Sequence, residues 1–325
     1  MEKFNTINDE GNRRLCEKLY LDLGVEIINF LEDNDVNEIM LNPDGRLWLD
    51  RNSKGQILAG HINRNRIFSI MNSVAGLHNF VVSQHSPCLE AELPFYRAMK
   101  GERFTGQIPP IVSAPCFTIR KKTEIIFSLD DYLATKRLTD NQALIIRRFI
   151  AERKNILVCG GPGSGKTTVT NALIAEAIKF DENQRFIILE DLPELQCAAQ
   201  NKVALLTSQD IDMTRLLKTA MRMRPDRILI GEVRGKEALD MLKAWNTGCP
   251  GGFCTLHANG AEEAVQRISD LAMEAGLVVA PKQLVLHTVD AIISVIRQGN
   301  QKGFIHEIIT LSEDTNEKFK FNKIT

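Results

Sequence analysis

The sequence predicts an α/β protein: a doubly wound domain with a mainly parallel sheet, preceded by a smaller α+β domain. Three observations predict it. Short apolar runs without polar alternation occur at residues 156–159, 186–189, 228–230 and 253–256, with a later pair near 291–296 and 304–311. Strands covered on both faces of a parallel sheet have this form, because neither face meets water. Segments of helical spacing separate the runs, as βαβ crossovers require. A glycine-rich octapeptide follows the first run directly and leads into an Ala/Leu-rich stretch, 168–178, suited to a helix.

Ahead of that domain, residues 21–31 carry apolar side chains at helical spacing. Extended segments at 38–41 and 46–49 flank Asn42-Pro43-Asp44-Gly45, a turn in which Pro presets φ and Gly relieves the tight exit. A longer extended stretch at 106–120 is broken by Pro109-Pro110 and Pro115. From about 121 to 137 the chain is polar and charged with no strong apolar period. The expected organisation is therefore an N-terminal domain at 1–122, a linker at 123–138 and a C-terminal domain at 139–325. Thr139-Asp140-Asn141-Gln142 has the form of a capping box and opens a helix expected to reach about Arg153.

Composition narrows the class without naming an activity. Of 325 residues, 44% are hydrophobic and 25% charged, which excludes collagen-like and wholly disordered chains. Lys plus Arg number 40 and Asp plus Glu 41, a net charge of −1 that gives no overall pull towards nucleic acid or anionic membrane. No stretch approaches the roughly 20 apolar residues of a membrane helix. The first thirty residues are charged throughout, so no secretory signal is expected. Seven scattered cysteines, an odd number in a chain of this size, suggest reduced thiols in an intracellular protein.

The octapeptide Gly160-Gly161-Pro162-Gly163-Ser164-Gly165-Lys166-Thr167 fits G-x-x-x-x-G-K-[ST], with Thr168 next in the helix. Glycines let the backbone curl so that successive N–H groups face phosphate oxygens at the positive end of the following helix. Lys166 is placed to reach the β- and γ-phosphates, and the Thr167 hydroxyl to hold Mg²⁺. This segment is expected to bind a nucleotide.

Ligands of open α/β sheets bind beyond the carboxyl ends of the strands. There the run at 186–189 delivers Glu190-Asp191, the run at 228–230 delivers Gly231-Glu232, and the run at 253–256 delivers His257. Ionisable groups are costly within a sheet but useful at its rim. Glu190 and Glu232 are candidates to hold the waters of a phosphate-bound Mg²⁺, and one of them to orient or deprotonate the attacking water. Gly231 stands where many phosphate-loop proteins place a metal-binding Asp, which raises the importance of Glu190. His257 is a candidate sensor of the γ-phosphate or of water, with a structural histidine as the alternative. Thr255 and His257 share a strand face that Cys254 does not, so a Cys–His dyad is not expected.

Arg234 follows the second of these strands closely enough to contact phosphate. Arg215, Lys218 and Arg222 lie on one helical face, either a solvated or subunit-facing surface or a phosphate clamp. Arg103 and Arg120, the latter beside Lys121-Lys122, flank extended segments of the N-terminal part and suit bidentate phosphate contact across an interdomain cleft. Three partial motifs are rejected. His306-Glu307 lacks the second histidine of a zinc protease, having Thr310 in its place. Asn201-Lys202-Val203-Ala204 lacks the final Asp of a guanine-reading motif, and no pair of cysteines has C-x-x-C spacing.

In order along the chain, four segments resemble the motifs of the type II/type IV secretion ATPase superfamily. They are the phosphate loop at 160–167, Ile188-Leu189-Glu190-Asp191-Leu192-Pro193-Glu194-Leu195, Ile228-Leu229-Ile230-Gly231-Glu232-Val233-Arg234, and Thr247-Gly248 through Thr255-Leu256-His257-Ala258-Asn259. Further segments resemble its conjugative-transfer branch: Asn42-Pro43-Asp44-Gly45-Arg46-Leu47-Trp48-Leu49-Asp50, Ala114-Pro115-Cys116-Phe117-Thr118-Ile119-Arg120-Lys121, Glu194-Leu195-Gln196-Cys197-Ala198-Ala199 and Lys243-Ala244-Trp245-Asn246-Thr247-Gly248. The similarity spans about residues 20–312. The tetracysteine element of type II assembly ATPases is missing, and Cys249 stands where the branch usually has a histidine. The resemblance implies a RecA-like, Mg²⁺-dependent ATP hydrolase that couples turnover to interdomain motion in a homohexameric ring. It implies as partners the other subunits of an inner-membrane secretion or conjugation apparatus, and a cytoplasmic place, peripheral at that membrane. It also implies that Arg103 and Arg120 contact phosphates and that some arginines act across subunits. Another RecA-like motor (a pilus assembly or retraction ATPase, or a DNA translocase) and a non-catalytic ATP-binding scaffold are the alternatives, and direct nucleic-acid contact is left open.

Overall fold

The computed structural model describes residues 10–122, 126–208, 210–298, 301–313 and 319–324. The chain forms two units, Met1–Thr123 and Glu124–Thr325.

In the first unit, α1 (Glu10–Glu32) is followed by β1 (Val36–Leu41), β2 (Arg46–Arg51), β3 (Gly55–His61), α2 (Arg64–Leu77), β4 (Cys88–Glu92), the short pair β5 (Phe95–Tyr96) and β6 (Met99–Lys100), then β7 (Arg103–Gln107) and β8 (Cys116–Arg120). Six strands form an antiparallel sheet in the order β3-β2-β1-β8-β7-β4. Alternation decides its buried face: Ile39, Leu41, Leu47, Leu49, Phe104, Phe117 and Ile119 join Leu19, Leu23 and Ile27 of α1 and Ile70 and Val74 of α2 in one core. The turn at 42–45 forms as expected, with the Gly45 N–H donating to the Asn42 carbonyl at 2.9 Å and Gly45 at φ 82°. The expected helix at 21–31 is the second half of α1, which breaks at Gly24. The stretch at 106–120 is not one extended segment; the prolines separate β7 from β8.

The second unit contains α3 (Leu129–Ala134), α4 (Asp140–Ala151), β9 (Ile156–Cys159), α5 (Lys166–Phe180), β10 (Phe186–Glu190), β11 (Lys202–Leu206), α6 (Met213–Ala220), β12 (Arg227–Glu232), α7 (Glu237–Asn246), β13 (Phe253–Leu256), α8 (Ala261–Met273), α9 (Lys282–Thr288), β14 (Ala291–Gln298), β15 (Gln301–Glu313) and β16 (Phe319–Ile324). The sheet order is β11-β10-β12-β13-β9-β14-β15-β16, parallel as far as β14 and antiparallel over the last two pairings. Successive strand residues go to opposite sides. Leu157, Cys159, Ile187, Leu189, Ile228 and Ile230 pack under α6 to α9, whereas Ile156, Val158, Phe186, Ile188 and Leu229 pack under α3 to α5. Two covered faces are the physical cause of the unbroken apolar runs.

Of the segment expected as a linker, residues 123–125 lie outside the described residues. Residues 129–134 form a helix of the second unit instead, capped reciprocally by Ser128 and Asp131, with Leu129 and Tyr132 buried. Two anchors in six residues are too few to register as a period. The Thr139–Gln142 capping box forms, and α4 stops two residues short of Arg153, which takes φ 57°.

Candidate nucleotide-binding site

The phosphate loop joins β9, whose four residues are all buried, to α5. Gly165 caps that helix at φ 100°. At Gly160, a β-carbon would lie 2.3 Å from the Val295 carbonyl oxygen of β14, so only glycine lets the loop start this close to the neighbouring strand. Lys166 is buried, and its ammonium donates to the carbonyls of Gly160 and Gly161, each at 3.1 Å. Thr167 and Thr168 occupy the first turn of α5, where exposed backbone N–H groups and the helix dipole favour an anion.

The acidic groups take distinct places at the carboxyl rim. Glu190 ends β10 and is buried; its Oε1 accepts the backbone N–H groups of Glu194 at 2.9 Å and Leu195 at 2.7 Å. Its side chain lies across β12 at Gly231, where a β-carbon would come 3.1 Å from Glu190 Cγ. The glycine in place of the usual Asp is thus the space that this glutamate fills. Gly231 also sits where the β12–β13 register shifts, between the pairs Ile230–Cys254 and Glu232–Thr255, and such a bulge re-aims the side chain that follows it. By folding the loop after β10, Glu190 brings Glu194 to α5: Thr167 Oγ1 lies 3.4 Å from Glu194 Oε2. Asn171, one turn further along α5, accepts the Gln196 N–H at 2.8 Å and donates to the Glu194 carbonyl at 3.4 Å.

Glu194, quoted in a motif but not singled out as a site residue, is therefore the carboxylate in contact with the loop threonine. Its spacing of four from Glu190 is a signal, but only the turn stapled by Glu190 and Asn171 gives it meaning. These hard oxygen donors suit Mg²⁺, an ion that keeps several waters and phosphate oxygens in its shell. Among the described residues no cluster of three or more His, Cys, Asp or Glu could by itself hold a metal. The donor set therefore fits an ion brought with a phosphate ligand.

On the other flank, His257 Nδ1 lies 3.2 Å from Lys166 Nζ, and His257 Nε2 lies 2.8 Å from Glu232 Oε1. An ammonium can only donate, so Nδ1 is the acceptor in the Lys166 contact; the Nε2–Glu232 approach is a close polar pair and not an aligned hydrogen bond, since Glu232 Oε1 has no hydrogen-bond partner among the described residues. Burial holds the His257 pKa below the ordinary imidazole value; Glu232 opposes that shift, and Lys166 and Arg234 reinforce it. Arg234, expected on phosphate, grips Glu232 Oε2 through Nε at 2.8 Å and Nη2 at 2.7 Å, and approaches Asp191 at 3.6 Å. Asp191 also accepts from Thr207 Oγ1 at 2.9 Å. A groove of about 360 Å³ opens beside Gly161, Pro162 and His257 along α8.

The remaining candidates lie on other elements. Arg103 and Arg120 lie in the first unit as register partners on β7 and β8, near Glu90 at 3.7 Å and Glu38 at 3.5 Å respectively. Arg215, Lys218 and Arg222 are exposed along and just beyond α6. Cys249 precedes β13 and so lies at the opposite edge of the sheet from His257, buried, with its thiol pKa raised by burial.

A profile of the family described as "Type II/IV secretion system protein" matches residues 27–319. The chain belongs to that family. It is 43% identical over 307 residues to the conjugal transfer protein TrbB of Rhizobium radiobacter, covering 94% of this chain and 93% of that protein. It is 30% identical over 317 residues to the type IV secretion system protein VirB11 of Bartonella henselae, covering 84% and 85%. Among solved structures, the ATPase DotB of Legionella pneumophila superposes with a TM-score of 0.61 at 18% identity, over 93% of this chain and 80% of that one. That last likeness establishes a shared fold. No helix among the described residues is long and apolar enough to cross a membrane.

Proposed function

We propose that this chain is the ATP-hydrolysing motor of a conjugative type IV secretion apparatus. The contact chain Lys166–His257–Glu232, with steps of 3.2 and 2.8 Å beside the phosphate loop, carries the reading. Backbone N–H groups of 160–168, other than at Pro162, and the Lys166 ammonium bind the β- and γ-phosphates, which draws Lys166 from the loop carbonyls it now contacts. Thr167, Glu194, Glu190 and Glu232 would hold Mg²⁺ or its waters, and the ion would supply charge neutralisation of the phosphate oxygens. Glu232 orients the attacking water and accepts its proton. His257 faces that carboxylate and reads the γ-phosphate through Lys166. Arg234 keeps Glu232 in place and passes to phosphate only when that grip is released.

The family relation and the 43% identity to TrbB support the transport role. In this reading the chain works as a homohexamer at the cytoplasmic face of the inner membrane, peripheral to other subunits of the apparatus. Arg103 and Arg120 then close on the nucleotide from the N-terminal unit, their own or a neighbour's. Phosphate release measured with purified protein tests the core of it. Wild type should turn over ATP only with Mg²⁺, Lys166→Ala should neither bind nor hydrolyse it, and Glu194→Gln should raise the Mg²⁺ requirement by about tenfold, the loss of one charged contact. Unchanged turnover in Lys166→Ala would refute the proposal. Stimulation by DNA would favour the translocase alternative.

A further inference from the structure

The hairpin of β14 and β15 touches the phosphate loop at two points. One is the packing of Gly160 under the Val295 carbonyl. The other is a hydrogen bond: the Gly303 N–H donates to the Ser164 carbonyl at 2.7 Å. Gly303 adopts φ 83°, and a β-carbon there would lie 3.0 Å from Tyr132 Oη. Tyr132 is itself buried in the core with a hydroxyl that has no hydrogen-bond partner, and Ser164 Oγ is likewise buried without one. Two buried, unsatisfied hydroxyls are costly. Tyr132 and Ser164 both meet the chain at Gly303. The next inward residue, Ile305, is fixed by its N–H to the Arg137 carbonyl at 2.9 Å, so the start of β15 is clamped on the α3–α4 side.

The Ser164–Gly165 peptide is planar and trans, so the Ser164 carbonyl and the Gly165 N–H point in opposite directions. Whatever holds the carbonyl aims the N–H. We infer that Gly303 is a positioning residue for nucleotide binding: its bond to the Ser164 carbonyl turns the Gly165 N–H into the concave side of the loop, ready for a phosphate oxygen. Glycine is needed because the required φ and the Tyr132 hydroxyl both exclude a β-carbon. The inference rests on the nucleotide reading of this loop and adds a residue some 140 positions away to its set-up.

The test is Gly303→Ala in the full-length protein, read by titration with a fluorescent ATP analogue and by the Gly165 amide resonance. The expected result is about five- to tenfold weaker binding, the worth of one mis-set hydrogen bond, with the Gly165 amide shifted in the free protein. Gly303→Ala combined with Tyr132→Phe removes the atom that the new methyl meets and should recover part of the affinity. Gly276→Ala is the control for strain, since Gly276 has φ 89° and open space around it. It should lower thermal stability through the backbone strain alone and leave affinity unchanged. Wild-type affinity in Gly303→Ala, or equal weakening in Gly276→Ala, would overturn the inference. Failure of the wild type to bind ATP would instead overturn the nucleotide reading beneath it.

Discussion

At the edge where the central strands begin, Arg227 is fully buried and donates to the carbonyls of Gly251 at 2.8 Å and Ile150 at 2.9 Å, and to the Gln184 side chain. Beside it, Asn155 accepts the N–H groups of Gly251 and Gly252 and donates to Thr288. At the edge where the same strands end, Glu190 and Lys166 are also buried against main-chain groups, but the outer charges are paired side chain to side chain, with His257 48% and Arg234 50% exposed. Main-chain carbonyls pinned by a buried guanidinium cannot rearrange without unfolding the sheet edge, whereas exposed pairs exchange for a ligand at little cost. One edge is a foundation and the other a set of movable parts. Burial pushes the Arg227 pKa down to about 10, which still leaves it charged at neutral pH.

This contrast can be broken from either side. The largest effect is expected at the rim: Glu232→Gln should cut turnover by about 10²–10⁴-fold while ATP binding and the urea midpoint stay near wild type. Normal turnover would remove Glu232 from the mechanism. Next comes Arg227→Leu, which strands three buried acceptors and should cost about 3 kcal/mol in urea unfolding, with ATP affinity of the folded protein preserved. A stability loss below about 0.5 kcal/mol would show that this edge is not the foundation.

The smallest effect sharpens the rim itself and is read by NMR titration of His257. Lys166→Ala removes a neighbouring positive charge and should raise the His257 pKa; Glu232→Gln removes a negative one and should lower it. Opposite movement would disprove the contact chain. The folded value lies below the unfolded one, so the unfolded state binds more protons in between. The contribution of His257 to stability is thus complete above about pH 6.5 and is lost as pH falls towards the folded pKa.

Much of the rim was legible because its chemistry is local. Residues 160–167 carry their own backbone requirements, and each buried strand announces where it stops, which located Glu190, Glu232 and His257. The edge strand β11 and the short α3 were not legible. β11 is half-buried and alternating, and α3 has two anchors only, so neither leaves a distinctive apolar pattern. Arg234 was expected on phosphate from proximity alone, and its grip on Glu232 depends on the turn that its own main-chain N–H makes with Glu237 at 2.7 Å. Cys249 and His257 share a motif in sequence, and β13 separates them, with Cys249 before the strand and His257 after it.

By itself, the amino-acid order determined the α/β class, the phosphate loop and the residues delivered to the rim, since hydrophobic periodicity and glycine dihedral freedom are properties of short segments. Tertiary structure alone decided that Glu190 folds a loop so that Glu194 meets Thr167, that Gly231 is room for a neighbour's side chain, and that Gly303 reaches Ser164. Each of those depends on strands brought together from distant parts of the chain, where a hydrogen bond or an empty volume exists only once both partners are in place.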